Sequence, residues 1–264
     1  MVSRRKFLFI SAGLVLAGCE ESKLGLGGPK SLRICVASDL HFGQPDTPYE
    51  DFANDFIKTV NNFSKNRRVD FLVFNGDLIH DDSKYIVPVR DKLNELSMRY
   101  FVTKGNHDAV EESLWKKCFG TYFNHELVVG DDVFLFANTS DFAGTYLCPD
   151  VAWLKSHLDK HKNARNILVF MHINPAGETK FAVECEEILN LLASHRNVRA
   201  VFNGHDHDHD EVIQQKGIPF IFDGHVGGSW GVGYRGFRII EINGEDKILT
   251  YMMNGDSVIN SSLV

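Results

Sequence analysis

Short apolar runs alternate with amphipathic segments along most of the chain. Residues 32–38, 69–75 and 166–171 are apolar at nearly every position, which is typical of strands that are buried on both faces. Residues 49–63 instead place Phe52, Phe56 and further apolar side chains at a helical spacing. Strands that alternate with helices predict an α/β fold, with sheets inside and helices outside.

The same patterns predict elements in the rest of the chain. Turn residues in the stretch 130–132 predict a hairpin over 126–138, and Asp150 is a typical N-cap residue. The end of the chain is rich in strands and contains no second linker. The further predicted strands are 100–103, 198–202, 211–215, 218–222, 234–242 and 247–252, and the further helices are 87–98, 111–118, 150–160 and 181–194.

The first residues have the character of a targeting segment. Two arginines, Arg4 and Arg5, precede an apolar run over 7–17, which is shorter than the roughly 20 residues that span a bilayer. The pattern resembles a twin-arginine signal, and residues 16–19 resemble a lipobox that ends at Cys19. The resemblance implies a signal peptide over 1–18, lipidation of Cys19 and an exported, membrane-anchored lipoprotein; the alternative is a short core helix.

The region after Cys19 divides into two parts. Residues 19–30 are polar and rich in glycine, which predicts a flexible tether. Residues 31–264 form the one predicted folded domain. No cysteine in this domain has the C-x-x-C spacing of a metal ligand pair. An oxidising compartment permits a disulfide among Cys118, Cys148 and Cys185, but the sequence does not pair them, and we expect free thiols.

Charge limits the classes of partner. The formal net charge is -7, so the chain has no overall basic field that would gather nucleic acid, and we expect no nucleic-acid partner. Lys104 and Arg235 could bind a phosphate, although we expect both at the solvated surface. The oligomeric state cannot be predicted from this pattern.

The candidate chemistry lies at the ends of the predicted strands. The stretch 203–207, Asn-Gly-His-Asp-His, places two imidazoles one residue apart, and such positions face the same way in an extended chain. Loops at one end of an α/β sheet gather at one place, which is where such sheets bind ligands. The other strand-end clusters are Asp39-Leu40-His41, Gly76-Asp77, Gly105-Asn106-His107-Asp108 and His172.

These clusters predict a metal centre. Their donors are oxygen and imidazole nitrogen without a thiolate, which suits Mn, Fe, Zn or Ni. The set is too large for one ion, but it can hold two divalent ions if they share a carboxylate.

In this order, D-x-H, G-D, G-N-H-D, H and G-H-x-H resemble the calcineurin-like metallophosphoesterases, from residue 31 to about 210. The resemblance implies a four-layer αββα sandwich, with two mixed β-sheets flanked by helices. It also implies a metal-bridging hydroxide as nucleophile and His107 as the group that protonates the leaving oxygen or holds a phosphate oxygen. The implied ligands are Asp39, His41, Asp77 and His207 for the first ion, and the bridging Asp77 with Asn106, His172 and His205 for the second.

Two positions depart from the family pattern. Relatives often carry an Asp three residues after the bridging Asp, where it orients the general acid, and purple acid phosphatases carry a Tyr ligand there. This chain has His80, so the orienting role would fall to Asp81 or Asp82. Cyclic-nucleotide phosphodiesterases of this group usually carry a second His after the strand-end His, where this chain has Asn174 after Ile173.

The sequence therefore predicts a dinuclear metal-dependent phosphoesterase that acts on a small phosphomonoester or phosphodiester. The alternatives are a cyclic-nucleotide phosphodiesterase, a metal-binding and phosphate-binding lipoprotein without turnover, and a nuclease, for which no basic track is visible. Near the clusters, we expect His209 to be solvated. His225 and Trp230 lie in a glycine-rich stretch that could rim the site.

Overall fold

A computed structural model describes residues 31–244 and 247–264. The predicted signal peptide, Cys19 and the tether lie outside the described residues. Two β-sheets of six strands each form the centre of the molecule. The strands are β1 (Leu32–Ala37), β2 (Phe71–Asn75), β3 (Tyr100–Thr103), β4 (His125–Val129), β5 (Asp132–Ala137), β6 (Asn166–Met171), β7 (Val198–Asn203), β8 (Val212–Gln215), β9 (Ile218–Phe222), β10 (Phe237–Ile242), β11 (Ile248–Asn254) and β12 (Ser257–Leu263).

Both sheets are mixed. The first has the order β12-β11-β10-β1-β2-β3, with β1, β2 and β3 parallel. The second has the order β4-β5-β6-β7-β9-β8, with β5, β6, β7 and β9 parallel. The helices are α1 (Tyr49–Asn66), α2 (Ile86–Leu93), α3 (Glu112–Phe119), α4 (Val151–Lys160) and α5 (Glu186–Ala193), with a short 3₁₀ turn at Ser83–Tyr85.

Three apolar layers hold the four structural layers together. Along β1, Ile34 and Val36 pack between the two sheets, whereas Cys35 and Ala37 pack against the helices of the first sheet. This alternation follows from the period of two in a strand. A third layer joins the second sheet to α4 and α5. The predicted αββα sandwich is therefore confirmed.

Most predicted elements form within a few residues of their expected bounds. Asp150 is the N-cap of α4, and its side chain accepts a hydrogen bond from the Trp153 amide (2.9 Å). Two helices are shorter than predicted: α2 has Pro88 in its first turn, where a missing N–H costs nothing, but ends at Leu93 instead of residue 98, and α5 begins only at Glu186. Strand β12 was not predicted, because its largely polar and mostly exposed residues lack an apolar pattern.

The expectation of free thiols was wrong for two cysteines. Cys148 and Cys185 form a disulfide, which joins the loop after β5 to the start of α5. Cys35 is buried and free, and Cys118 is free. The sequence could not pair the bonded cysteines because irregular loops bring them together. Among the described residues, none of the helices is long and apolar enough to cross a bilayer.

The carboxyl ends of the parallel strands of both sheets meet at one edge of the sandwich. Asn75, at the end of β2, donates a hydrogen bond across the two sheets to the Phe202 carbonyl of β7 (3.0 Å). Asn203, at the end of β7, donates to the Met171 carbonyl of β6 (2.8 Å). These amides fix the strand ends relative to one another, and the loops that follow them carry the predicted ligands.

Candidate metal centre

The structure brings the predicted ligands together in two groups. Asp39, His41 and His207 form the first half-site, and each offers a donor atom within 4.8 Å of the others. Asp77, His172 and His205 form the second half-site by the same measure. Each group draws on both sheets, so its ligands come from strand ends far apart in the chain.

Asp77 lies between the two groups. Its Oδ2 is 3.1 Å from His172 Nε2 and 3.7 Å from His41 Nε2. Its other oxygen, Oδ1, accepts a hydrogen bond from the His107 amide (2.8 Å). The backbone thus holds one oxygen of Asp77, and the other faces imidazoles of both half-sites, which is the position that a bridging carboxylate needs.

Asp39 is oriented in the same way. Its Oδ2 accepts a hydrogen bond from the His205 amide (3.0 Å), and its Oδ1 is 3.0 Å from His207 Nε2. His41 Nε2 and His207 Nε2 approach each other at 3.1 Å. Two ring nitrogens and a carboxylate oxygen therefore converge on one point of the first half-site.

Several converging atoms are buried without a hydrogen-bond partner in the described part of the chain. A buried polar atom left unpaired is costly, so such atoms indicate a missing ligand. Oxygen and imidazole donors of this kind suit divalent transition metals. The residues present therefore fit divalent ions. Asn106 Oδ1 and His205 Nε2 have no hydrogen-bond partner at all, whereas Asp39 Oδ1 and His172 Nε2 make no hydrogen bond and meet only other candidate ligands.

Hydrogen bonds behind the imidazoles set which nitrogen faces the centre. His172 Nδ1 donates to the Asn75 carbonyl (2.7 Å), and His207 Nδ1 donates to the Trp230 carbonyl (3.1 Å). His41 Nδ1 lies 3.0 Å from His80 Nδ1. In each case the bond behind the ring leaves Nε2 for an ion, the usual arrangement of metal-binding histidines.

His107 lies beside the first half-site. Its Nδ1 is 2.8 Å from Asp81 Oδ1, and its ring stacks on His80 at 4.7 Å between centroids. Asp81 therefore takes the orienting role, whereas Asp82 caps the 3₁₀ turn by accepting from the Lys84 amide. Because Asp81 holds Nδ1 as a donor, Nε2 is the nitrogen of His107 that a substrate can meet.

Four of the candidate ligands have a strained backbone conformation. Asp39, His41, Asp77 and His205 all have positive φ, between 49° and 67°. For residues other than glycine this conformation costs about 1–2 kcal/mol each, and such residues cluster at functional sites. Gly76 has φ of 90°, and a Cβ there would lie 2.3 Å from His172 Nδ1, so only glycine fits before Asp77.

Burial and charge shift the pKa values of the imidazoles in opposite directions. Although burial opposes it, the carboxylates of Asp77 and Asp39 raise the pKa of His172 to about 10. Burial lowers the pKa of His41 to about 3 and the pKa of His205 to about 4. For Asp77, burial is outweighed by His172 and His41, which hold the pKa of this carboxyl well below its usual range. The half-sites thus contain ionised carboxylates before any ion binds.

Lys104 is not a solvated surface residue, contrary to expectation, whereas Arg235 is exposed, as expected. Lys104 is buried, and its ammonium donates to the Gly105 and Asp141 carbonyls and to Ser140 Oγ. Arg235 lies over the Phe52 ring and donates to the Gly228 carbonyl. Both cations brace loops around the centre, a role that no local pattern in the sequence indicates.

The remaining candidates have clear places. His209 is half-exposed and pairs with Glu211. His225 is buried and stacks on one face of His207 at 4.9 Å, while Trp230 stacks on His207 at 4.5 Å. The sequence predicted that His225 and Trp230 could lie at the rim of the site, but it did not show that their rings stack on the candidate ligand His207.

Solved structures support the fold. A dimetal phosphatase from Danio rerio matches with a TM-score of 0.69 and 14% identity, over 88% of this chain and 98% of that one. A purple acid phosphatase from yellow lupin (Lupinus luteus) seeds matches with a TM-score of 0.68 and 14% identity, over 89% of this chain. This chain covers 53% of the lupin protein. At these identities the likeness establishes the shared fold alone.

Curated protein sequences provide no match to the chain. The sequence model of the calcineurin-like phosphoesterases, in contrast, matches residues 32–209, which include every strand-end cluster described above. With the two six-stranded sheets and the convergent carboxylates and imidazoles, this match shows that the chain belongs to the calcineurin-like phosphoesterase family.

Proposed function

We propose that the protein is a dinuclear metal-dependent phosphoesterase that hydrolyses a small phosphate ester. The observation that carries this proposal is the pair of buried half-sites, which meet at Asp77 and contain unpaired donor atoms. Asp39, His41, Asp77 and His207 would hold one ion. Asp77, Asn106, His172 and His205 would hold the other.

Two bound divalent ions would polarise the phosphoryl oxygens and lower the pKa of a coordinated water to near neutrality. The residues of the chain supply the rest. Asp77 and Asp39 are fixed by the His107 and His205 amides, so their free oxygens need no reorganisation. His107, held at Nδ1 by Asp81, presents Nε2–H to the leaving oxygen.

The test uses the purified domain with Mn²⁺ and two chromogenic substrates, p-nitrophenyl phosphate and its bis-ester. We expect hydrolysis that depends on the metal. Asp77→Asn and His205→Ala should each lower kcat by at least about 10²–10³-fold, because each removes a donor from the centre. Matched controls are Asp159→Asn and His157→Ala, which lie on α4 away from the centre. Equal activity in all four variants would contradict the mechanism.

None of the three alternatives gains support from a specific contact. The Asn174 side chain is buried and accepts a hydrogen bond from the Ala176 amide (2.6 Å), so it shapes its own loop instead of replacing the second His of cyclic-nucleotide phosphodiesterases. Asp81 contacts His107 Nδ1 at 2.8 Å, and this orientation of the proposed acid supports turnover over binding alone. Adding a cyclic nucleotide and single-stranded DNA to the substrate panel tests both remaining classes.

We also propose that the protein is exported and anchored by a lipid on Cys19. The sequence of the first residues supports this proposal, and so does the Cys148–Cys185 disulfide, because disulfides persist in oxidising compartments. Cys19→Ser should move the protein from the membrane fraction to the soluble fraction of expressing cells. Radiolabelled palmitate should label the wild type and not the variant.

A further inference from the structure

Exposed aromatic rings contact the candidate ligands from two sides. Trp230 is 43% exposed, and its ring lies 4.5 Å from His207 and 4.9 Å from His41. Tyr146 is 37% exposed and lies edge-on to His205 at 4.7 Å, and Phe181 is 42% exposed at 5.9 Å from the same ring. We call Trp230 the first wall, and Tyr146 with Phe181 the second wall.

The two walls belong to different half-sites. The first wall covers His207 and His41, which belong to the first half-site, and the second wall covers His205, which belongs to the second. An exposed aromatic ring presents apolar surface to water, and it can bury that surface by stacking on another ring. Its placement against a polar centre therefore indicates an organic group that lies next to the phosphate.

The first wall is beside the general acid. The His41 ring contacts both Trp230 and His107, at 4.9 Å between centroids in each case. His107 is the group proposed to protonate the leaving oxygen, so the leaving group must pass close to it. A planar leaving group would then lie on the open face of Trp230.

The glycine-rich loop is built to bring Trp230 onto the ligand. A Cβ at Gly231 would lie 2.6 Å from the His207 Cβ, so only glycine allows this approach. The Val232 amide donates to the His207 carbonyl (2.9 Å), so the loop is also tied to the candidate ligand His207 just after Trp230. The first wall is thus a fixed surface.

The second wall is fixed by different means. Tyr146 and Phe181 lie on two loops that the Cys148–Cys185 disulfide joins, and each ring precedes one of the bonded cysteines by a few residues in the chain. Thr179 Oγ1 also donates to Asp206 Oδ2 (2.9 Å), which ties the Phe181 loop to the stretch between the candidate ligands His205 and His207. A covalent brace of this kind would hold a preformed surface for the second organic group of a diester.

We propose that the substrate is a phosphodiester with a planar ring in its leaving group, which stacks on Trp230, while its second organic group packs on Tyr146 and Phe181. This inference rests on the proposed function, and it narrows the substrate from any phosphate ester to a ring-bearing diester. The rings are recognised by stacking, so an aryl group and a nucleobase share the same chemistry. Rates with an aryl diester and a dinucleotide distinguish these two sources.

Binding of compounds that cannot be hydrolysed tests the proposal without turnover. Calorimetry on the Mn²⁺-loaded protein compares phenylphosphonate with methylphosphonate, and diphenylphosphinate with dimethylphosphinate. We expect about five-fold tighter binding for the compound with one ring than for its methyl analogue, and a larger factor for the compound with two rings.

Trp230→Ala should abolish the one-ring preference. Tyr146→Ala/Phe181→Ala should reduce only the additional two-ring factor. Tyr122→Ala, which removes an exposed ring on a loop after α3, is the matched control and should change neither.

Hydrolysis provides the second readout. The wild type should have a higher kcat/KM for bis(p-nitrophenyl) phosphate than for p-nitrophenyl phosphate, and the variants of both walls should raise KM for the diester. Hydrolysis with no ring preference, or variants of both walls that leave ligand affinity unchanged, would overturn the inference. Ring preference without any hydrolysis would instead refute the proposed reaction and keep the binding surface.

Discussion

The two half-sites use the same donors but are built in different surroundings. In the first, His41 and His207 are almost fully buried, and other rings surround them: His80 behind His41, and His225 and Trp230 on the two faces of His207. In the second, His172 is buried against a main-chain carbonyl, but His205 is partly exposed beneath the two loops that the disulfide joins.

The partner behind an imidazole is a side chain only at His41, in the first half-site, because the carbonyls behind His207 and His172 belong to the backbone. Replacing a side chain removes the partner of His41, whereas the Asn75 carbonyl behind His172 persists in any variant. The first half-site is therefore sensitive to substitutions around it. The second is sensitive to changes of charge through His172, which lies between carboxylates, and to loop geometry through His205.

The largest expected effect concerns the proposed general acid, His107. His107→Asn removes the proposed acid without removing a ligand, so kcat should fall about 10²–10⁴-fold while the metal content stays at the wild-type value. Asp81→Asn should lower kcat less, because the ring remains and only its orientation loosens. Metal analysis of the kinetic samples separates this result from ligand loss. Loss of metal in His107→Asn would show that this residue is a ligand.

Replacing the ring behind His41 should give the next largest effect. His80→Ala removes the Nδ1 partner of His41 and should weaken the first ion about 10–100-fold, which is typical for outer partners of metal-binding histidines. Binding in the second half-site should remain unchanged. Titration with Mn²⁺, followed by calorimetry, measures both steps. His209→Ala provides the matched control, since His209 pairs with Glu211 away from the centre.

Acid should affect the second half-site through His172. The pKa of this imidazole is about 10 in the ion-free chain, so at pH 7 it is protonated and must lose its proton to bind an ion. The affinity of that step should rise about ten-fold per pH unit toward pH 10. His205, with a pKa of about 4, is already neutral at pH 7 and releases no proton when an ion binds. Calorimetry in buffers of different ionisation enthalpy counts the proton, and a count near zero would contradict the assignment.

Opening the disulfide should have the smallest effect on the reaction itself. Reduction frees the loops over His205 and should cost about 2–4 kcal/mol of stability. The Mn²⁺ affinity of the first half-site should not change, because none of its ligands lies on either loop. Thermal unfolding and metal titration of Cys148→Ser/Cys185→Ser measure the two quantities. Equal losses at both half-sites would show that the brace supports the whole centre.

The sequence predicted the part of the site that strand ends impose. Asp39, Asp77 and His172 directly follow or nearly follow buried strands, and parallel strands bring their carboxyl ends to one edge whatever the loops do. The apolar pattern also predicted nearly all strands, because burial on both faces leaves a continuous signal.

The sequence could not predict what depends on contacts between loops. The choice of Asp81 over Asp82 depends on a backbone turn at positive φ, and the pairing of Cys148 with Cys185 depends on two irregular segments. The burial of Lys104 likewise depends on acceptors in a distant loop. Such contacts have no periodic signature, and a three-dimensional arrangement is needed to see them.

The candidate ligands are spread from Asp39 to His207 and come from both sheets. No short fragment of the chain contains a complete half-site, since each one combines an early aspartate with a late histidine. Ions can therefore be captured only after both sheets have closed on each other. The metal content of a preparation then serves as a count of correctly folded molecules, independent of any assay of activity.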